Sequence, residues 1–316
     1  MLNWGLVTTG RICDWFYRDM AHVEGARVLA VSSRDGERAR AFADTRGIER
    51  AYDGLDALLA DRDIDIVYIG SPPSHHLAQA TLALRAGKAV LCEKPLTVSP
   101  AEADKLIAVQ RETGGYLMEA MWTWFLPALR QARTWVEAGR IGRLVQIKAD
   151  FGYPQVFDPD VYYYNPGLGG GCLLDMGVYA AALVRYFVDG LPQSVQVSAR
   201  HAPSGVDDDV CAVLRYGEVT AIMGASFRAK LQNWAYIIGT DGYIAIPDFW
   251  RADEVRLYHL DTLVEHAIFH RPHQGFAFEA QAVTDDVTAG RQASSVVSLA
   301  DSLAIQQIMQ AIRAGF

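Results

Sequence analysis

The first third of the chain alternates between two hydrophobic periods, and this alternation restricts the fold more than any other feature. Short continuous apolar runs (Trp4–Thr8, Arg27–Ser32, Ile64–Ile69, Ala89–Cys92, Tyr116–Glu119) take turns with stretches whose apolar residues recur at helical spacing. Those stretches are Ile12–His22, Arg34–Gly47, Leu55–Ala60, His75–Ala86 and Ser99–Thr113, the last opened by a Ser99/Glu102 capping box and closed by Gly114-Gly115. Strands without polar alternation are covered on both faces, and strands separated by helices run parallel. The pattern therefore predicts an N-terminal Rossmann doubly wound parallel sheet.

Beyond about residue 121 the pattern changes. After helical stretches at Pro127–Ala138 and Leu173–Phe187 come closely spaced strands: Ser194–Arg200, Asp209–Tyr216, Val219–Ala225, Trp234–Gly239, Tyr243–Ile246, Glu254–His259 and Leu263–Phe269. Leu144–Tyr153 precedes them, with Val145, Ile147, Ala149 and Phe151 on one face. Short turns between successive strands predict an α+β domain with a large, open, mostly antiparallel sheet and helices on one face. The closing helices are Gly275–Ala289 and Ser298–Arg313. A chain of 316 residues exceeds one ordinary core, so we expect a dinucleotide-binding domain over 1–121 and a substrate-binding and oligomerisation domain over 122–316.

Composition narrows the partners. Against 37 Asp and Glu stand 29 Lys and Arg, a net charge of -8, with no basic run. That excludes an extended nucleic-acid surface but not a pocket for one phosphate. Cys13, Cys92, Cys172 and Cys211 form no CxxC pair, which argues against a zinc site and for a reducing compartment. No basic segment with an apolar core opens the chain, and no stretch approaches the roughly 18 apolar residues of a membrane span. The expectation is a cytoplasmic protein without nucleic-acid, membrane or metal partners, acting on a small molecule. The uncovered face of the second sheet predicts a homodimer.

The turn after the first apolar run reads Val7-Thr8-Thr9-Gly10-Arg11-Ile12-Cys13. Laid on the GxGxxG/A template, it keeps only the middle glycine, Gly10, where backbone must approach a pyrophosphate at a helix N-terminus. Thr8, Thr9, Gly10, Arg11 and Ile12 are thus candidate cofactor contacts. An acidic residue commonly follows the second strand of an NAD site. Here Ser33 and Arg34 stand instead, with Arg38 a helical turn later, a set suited to a 2′-phosphate. Asp35 is read as a helix cap. The expected cofactor is NADP(H) rather than NAD(H).

The fourth strand ends in Cys92-Glu93-Lys94-Pro95, at the carboxyl edge where open α/β sheets bind ligands. Ser71-Pro72-Pro73-Ser74-His75-His76 follows the third strand at that edge, adding Ser71, Pro72 and His76 to Glu93 and Lys94 as candidates.

These motifs, with Glu119-Ala120-Met121-Trp122 and Gly169-Gly170-Gly171-Cys172-Leu173-Leu174-Asp175-Met176-Gly177-Val178-Tyr179, resemble the Gfo/Idh/MocA oxidoreductase family over nearly the whole chain. Tyr179, where much of the family has histidine, is similar to the branch of dimeric dihydrodiol dehydrogenases and NADP-dependent xylose dehydrogenases. The resemblance implies that Lys94 and Tyr179 face the reacting carbon with Asp175 nearby. It further implies hydride exchange between nicotinamide and a carbinol or carbonyl carbon of a cyclic polyol, sugar or trans-dihydrodiol. Lys94 would favour the Tyr179 phenolate or stabilise the alkoxide, and which of the two carries the proton is left open. The four-residue spacing places Asp175 and Tyr179 on one helix face.

Trp122, Trp124, Phe151, Trp250 and Phe276 are the aromatic candidates for substrate contact, and Trp122, Phe151 and Trp250 match the family's apolar pocket. Trp124 departs from the pattern, standing where relatives often carry arginine. Aromatic faces suit a cyclohexadiene diol and a sugar ring equally. An anhydrofructose or ketosugar reductase, an inositol dehydrogenase and a non-catalytic NADP(H) sensor are the alternatives.

Overall fold

A computed structural model describes all residues, 1–316. It divides into two units, Met1–Trp122 with Pro272–Ser302, and Thr123–Arg271 with Leu303–Phe316. The sequence reading gives everything after 121 to the second domain. The structure instead returns 272–302 to the first unit, because Asp19 accepts backbone hydrogen bonds from Gln274 (3.0 Å) and Gly275 (2.9 Å), and Phe16 packs against Phe276.

The first unit's elements are β1 (Leu2–Val7), α1 (Arg11–Asp19), β2 (Ala26–Ser33), α2 (Gly36–Arg46), β3 (Arg50–Asp53), α3 (Leu55–Leu59), β4 (Ile66–Ile69), α4 (His76–Arg85), β5 (Ala89–Glu93), α5 (Pro100–Thr113) and β6 (Leu117–Ala120). Its six strands are parallel in the order β3-β2-β1-β4-β5-β6. Strand β3 is absent from the sequence reading for a physical reason. It is a four-residue edge strand with no apolar run, its Arg50 ion-paired to Asp61 and Asp63. Central β4 and β5 are buried throughout, as continuous apolar runs require. The order reverses from β1 to β4, so the turns after β1, β4 and β5 gather at one edge.

The second unit holds α6 (Pro127–Glu137), β7 (Leu144–Gly152), α7 (Val178–Phe187), β8 (Ser194–His201), β9 (Asp207–Tyr216), β10 (Val219–Ser226), β11 (Ala235–Gly239), β12 (Tyr243–Ile246), β13 (Glu254–His259) and β14 (Thr262–Ile268). Helix α8 (Phe276–Thr288) belongs to the first unit, and α9 (Leu299–Arg313) contributes its first residues to the first unit and the rest to the second. The eight strands order as β14-β13-β12-β11-β7-β10-β9-β8, antiparallel except for β7 against β10. Strand β9 shows the expected alternation: Val210, Ala212, Leu214 and Tyr216 are buried while Cys211, Val213 and Arg215 face outward.

One expectation is overturned. The helical run Pro166–Phe187 is long and apolar enough, by length and composition, to cross a membrane. Its burial explains its composition, since 72% of its most apolar window lies inside the protein, where α7 packs on β7 and β10.

Candidate functional site

In the first unit the turn after β1 carries two departures from ordinary backbone. Thr8 has φ 93°, the left-handed region that glycine normally supplies at the first template position. It is held there by Thr8 N donating to Ser32 O (3.0 Å) and its hydroxyl donating to Gly70 O (3.2 Å). Gly10 is extended, no side chain caps α1, and a Cβ on Gly10 would meet only Thr8 Oγ1, at 3.7 Å. The helix start therefore offers uncapped amides beside open space, the arrangement a pyrophosphate requires. Cys13, the small third position, lets α1 close on β4: a Cβ on Gly70 would lie 2.6 Å from its sulfur. Burial pushes the Cys13 thiol up to about 12, so it packs rather than reacts.

At the end of β2, Asp35 caps α2, accepting from Glu37 N (2.9 Å) and Arg38 N (3.2 Å). Its carboxylate is thereby committed to the helix. The Arg34 and Arg38 side chains are exposed and make no ion pair or hydrogen bond within the chain. Arg11, at the start of α1, lays its guanidinium over Trp15 at 5.1 Å. These residues fit a dinucleotide: an open helix start stands ready for its diphosphate, and two unengaged guanidinium groups with Ser33 stand at the end of β2.

The third part of this edge is the segment after β5. Lys94 is half-buried, and its peptide to Pro95 is cis. Glu93 is buried; one carboxylate oxygen accepts from the Tyr68 hydroxyl, the other from Lys94 N at 3.2 Å. His76, expected at the cofactor, is fully buried between two backbone carbonyls, Ser71 O (2.8 Å) and Pro95 O (2.9 Å). It ties the loop after β4 to the loop after β5, and burial lowers its pKa. Ser71, likewise expected at the cofactor, gives its hydroxyl to Gln79 (2.7 Å). Pro72 precedes the short helical turn Pro73–His75 that leads into α4.

The structure separates the aromatic candidates. Trp122 and Phe276, both placed by the sequence reading in the second domain, lie in the first unit, buried with ring centroids 4.8 Å apart. Phe276 packs in turn on Phe16, which stacks on Tyr68 at 3.8 Å. Trp124 is buried against Tyr186 of α7, centroids 5.0 Å apart, rather than with Phe151.

Phe151, Trp250 and Tyr179 do come together in the second unit. Phe151 stacks on Trp250 (4.8 Å, 15°), and Tyr179 meets Phe151 edge-on (5.5 Å). Asn233, which the sequence reading missed, sets this cluster. Its side-chain oxygen accepts from Gly152 N (2.9 Å), its carbonyl from Phe249 N (3.2 Å), and its own amide donates to Asp150 (2.6 Å). It thereby fixes the neighbours of both stacked rings. Its φ of 63° lies in the left-handed region that asparagine tolerates, and nothing in the sequence announced it.

Asp175 and Tyr179 do not share one regular helix. Leu173–Gly177 forms a wide π-turn, and Tyr179 lies in the first turn of α7 after it. Asp175 accepts from the Tyr162 hydroxyl at 2.8 Å. The turn is anchored by Asp207, whose carboxylate accepts from Leu173 N (2.6 Å) and the Cys172 thiol (3.3 Å). The glycine run before it is steric. A Cβ on Gly170 would sit 2.7 Å from Tyr163 O, and one on Gly171 2.4 Å from Asp207 Oδ1.

A parallel sheet with an open helix N-terminus, followed in the chain by an open-sheet unit presenting a phenol among aromatic faces, defines an NAD(P)-dependent oxidoreductase. The chain belongs to the Gfo/Idh/MocA family. Residues 2–121 match its "Oxidoreductase family, NAD-binding Rossmann fold" model, and residues 129–245 match the GFO/IDH/MocA C-terminal domain. It is 35% identical over 322 residues to the trans-1,2-dihydrobenzene-1,2-diol dehydrogenase of Xenopus laevis, covering 97% of this chain and 96% of that one. The Homo sapiens protein of the same name is 32% identical over 327 residues, covering 99% and 96%. Among solved structures, the 3-ketoreductase KijD10 from Actinomadura kijaniata, in complex with NADP and TDP-benzene, superposes with a TM-score of 0.88 at 28% identity, covering 99% of this chain and 97% of that one.

Proposed function

We propose that the chain is an NADP(H)-dependent dehydrogenase or reductase of a cyclic substrate with adjacent hydroxyls: a trans-dihydrodiol, a sugar such as D-xylose, or a cyclic polyol. The carrying observation is the Phe151–Trp250 stack with the Tyr179 ring at its edge, which puts a phenol beside stacked aromatic faces. Such a surface takes the apolar face of a ring while polar groups address its hydroxyls. The relatives named dihydrodiol dehydrogenase, alike over nearly the full chain, support the substrate class.

When bound, the nicotinamide supplies the hydride acceptor or donor for the substrate carbon. The chain's residues do the rest. Gly10 and the start of α1 hold the diphosphate, and Arg34, Arg38 and Ser33 hold the 2′-phosphate. Tyr179 gives or takes the hydroxyl proton. Lys94 stabilises negative charge on the substrate oxygen. Asp175, oriented by Tyr162, accepts from the neighbouring hydroxyl.

Absorbance at 340 nm with NADP+ or NAD+ against trans-1,2-dihydrobenzene-1,2-diol, D-xylose and inositols tests this reading. NADP+ reduction is expected with at least one of them, lost by about a hundredfold or more in Tyr179→Phe and in Lys94→Ala. Absence of NADP+ binding by calorimetry rejects it.

A homodimer and a cytoplasmic location belong to the same proposal. The outward face of the second sheet exposes Val213, Ile222 and Cys211 on adjacent strands, an apolar strip suited to a second copy. None of the four cysteines is disulfide-bonded, which suits a reducing compartment.

A further inference from the structure

The first unit buries five carboxyl groups, Asp19, Glu93, Glu119, Glu279 and Asp286, the last accepting from the Tyr116 hydroxyl and from Arg291. Asp19 is explained by the amides at the start of α8 and Glu93 by Tyr68 and Lys94 N. The other two have no role in the function proposed above. Glu119 on β6 is fully buried; one oxygen accepts from Leu96 N at 2.8 Å and the other makes no hydrogen bond. Glu279 on α8 is fully buried with neither oxygen bonded. A carboxyl group inside a sheet edge is costly, and an apolar residue would fill the same space without that cost.

What distinguishes Glu119 is the segment it grips. Three consecutive residues after β5 are held by three buried side chains: Lys94 N by Glu93 (3.2 Å), Pro95 O by His76 (2.9 Å) and Leu96 N by Glu119 (2.8 Å). Around Glu119 stand Glu93 and Lys94 from the β5 end, Glu279 from α8 and the Ser302 hydroxyl from α9. Lys94 is the cation of this group.

We infer that Glu119 is a positioning residue for Lys94, fixing the backbone two residues beyond it and placing a buried carboxyl group within electrostatic reach of its ammonium group. The inference rests on the proposed role of Lys94. Burial pushes the Glu119 carboxyl up to about 7, with Glu93 adding to the rise and Ser302, Leu96 N and Lys94 opposing it. Glu279 is likewise raised well above the carboxylate range, by burial and by Glu93, Asp19 and Glu119, which favours its neutral form. Glu119 therefore gains its charge as pH rises through about 7, and Lys94 is held most firmly above that point.

Glu119→Gln keeps the shape and an acceptor for Leu96 N but removes the charge; Glu119→Ala removes both. In the full chain we expect NADP+ affinity within about twofold of wild type for Glu119→Gln, showing an intact fold. Its kcat above pH 7 is expected to fall about tenfold or more, with the wild-type rise in kcat through pH 7 flattened. A substrate-free readout accompanies this. With 15N-leucine labelling, the Leu96 amide shift titrates near pH 7 in wild type and stays flat in Glu119→Gln. Wild-type kcat and pH profile in Glu119→Gln, an equal loss at every pH, or a Leu96 amide that titrates identically in both proteins overturns the inference. Lys94→Ala separates the two ideas. Wild-type kcat in that variant strikes the role of Lys94 itself, while its loss alongside unaffected Glu119 variants strikes only the role of Glu119.

Discussion

Arg34 and Asp35 illustrate how one residue's engagement decides its neighbour's meaning. An acidic residue next to the end of β2 is what an NAD-binding turn would use, yet Asp35 spends its carboxylate on two amides of α2. The unengaged guanidinium beside it is what the proposed 2′-phosphate contact rests on. Arg34→Ala should weaken NADP+ binding about tenfold or more while leaving NAD+ within about twofold, measured by calorimetry. Equal losses for both cofactors would assign Arg34 to general electrostatics. At this scale the sequence was informative wherever a side chain acts through its own chemistry. It did not show that the polar atoms of His76 and Ser71 are taken up within the chain, by Ser71 O and Gln79 close by in sequence and by Pro95 O on the next loop.

Among the elements, the start of the α7 helical run shows why a motif can be legible before its cause is. The glycine run and Asp175 were visible in the sequence, but the π-turn and the buried Asp207 behind it were not. Asp207 lies 34 residues from the Leu173 amide it accepts from, and no local period announces such a pair. Gly171 has φ 123°, and a Cβ there would fall 2.4 Å from Asp207 Oδ1. Gly171→Ala should therefore strain the backbone, displace Asp207 and loosen the turn that carries Asp175. We expect a stability loss of roughly 2–4 kcal/mol in denaturant unfolding together with a lower kcat. An unchanged midpoint would mean the loop relaxes freely. Strand β3 failed to register for a related reason. Its place comes from pairing with β2 and from the Arg50 ion pairs, not from its own apolar content.

For the whole molecule, the outward face of the second sheet is the feature with a consequence for assembly. Val213 and Ile222 are paired across β9 and β10 and expose 40% and 36% of their surface, more than a solvated β face needs. Light scattering at micromolar concentration should give twice the chain mass, and Ile222→Lys should shift it towards the monomer. A monomeric wild type would leave that face to solvent.

What the sequence determined by itself was what periodicity and local chemistry encode. The parallel sheet, the run of antiparallel strands, the uncapped helix start at Gly10 and the Arg34 signal all depend on neighbours within a few residues. The tertiary structure alone decided that Pro272–Ser302 joins the first unit, that Trp122 and Phe276 pack side by side there, and that Asn233 sets the backbone beside Phe151 and Trp250. These pairings lie beyond the reach of any helical or strand period, most of them spanning dozens to hundreds of residues. Burial and hydrogen bonding reward such contacts only once the chain has closed on itself, so they leave no trace in local spacing.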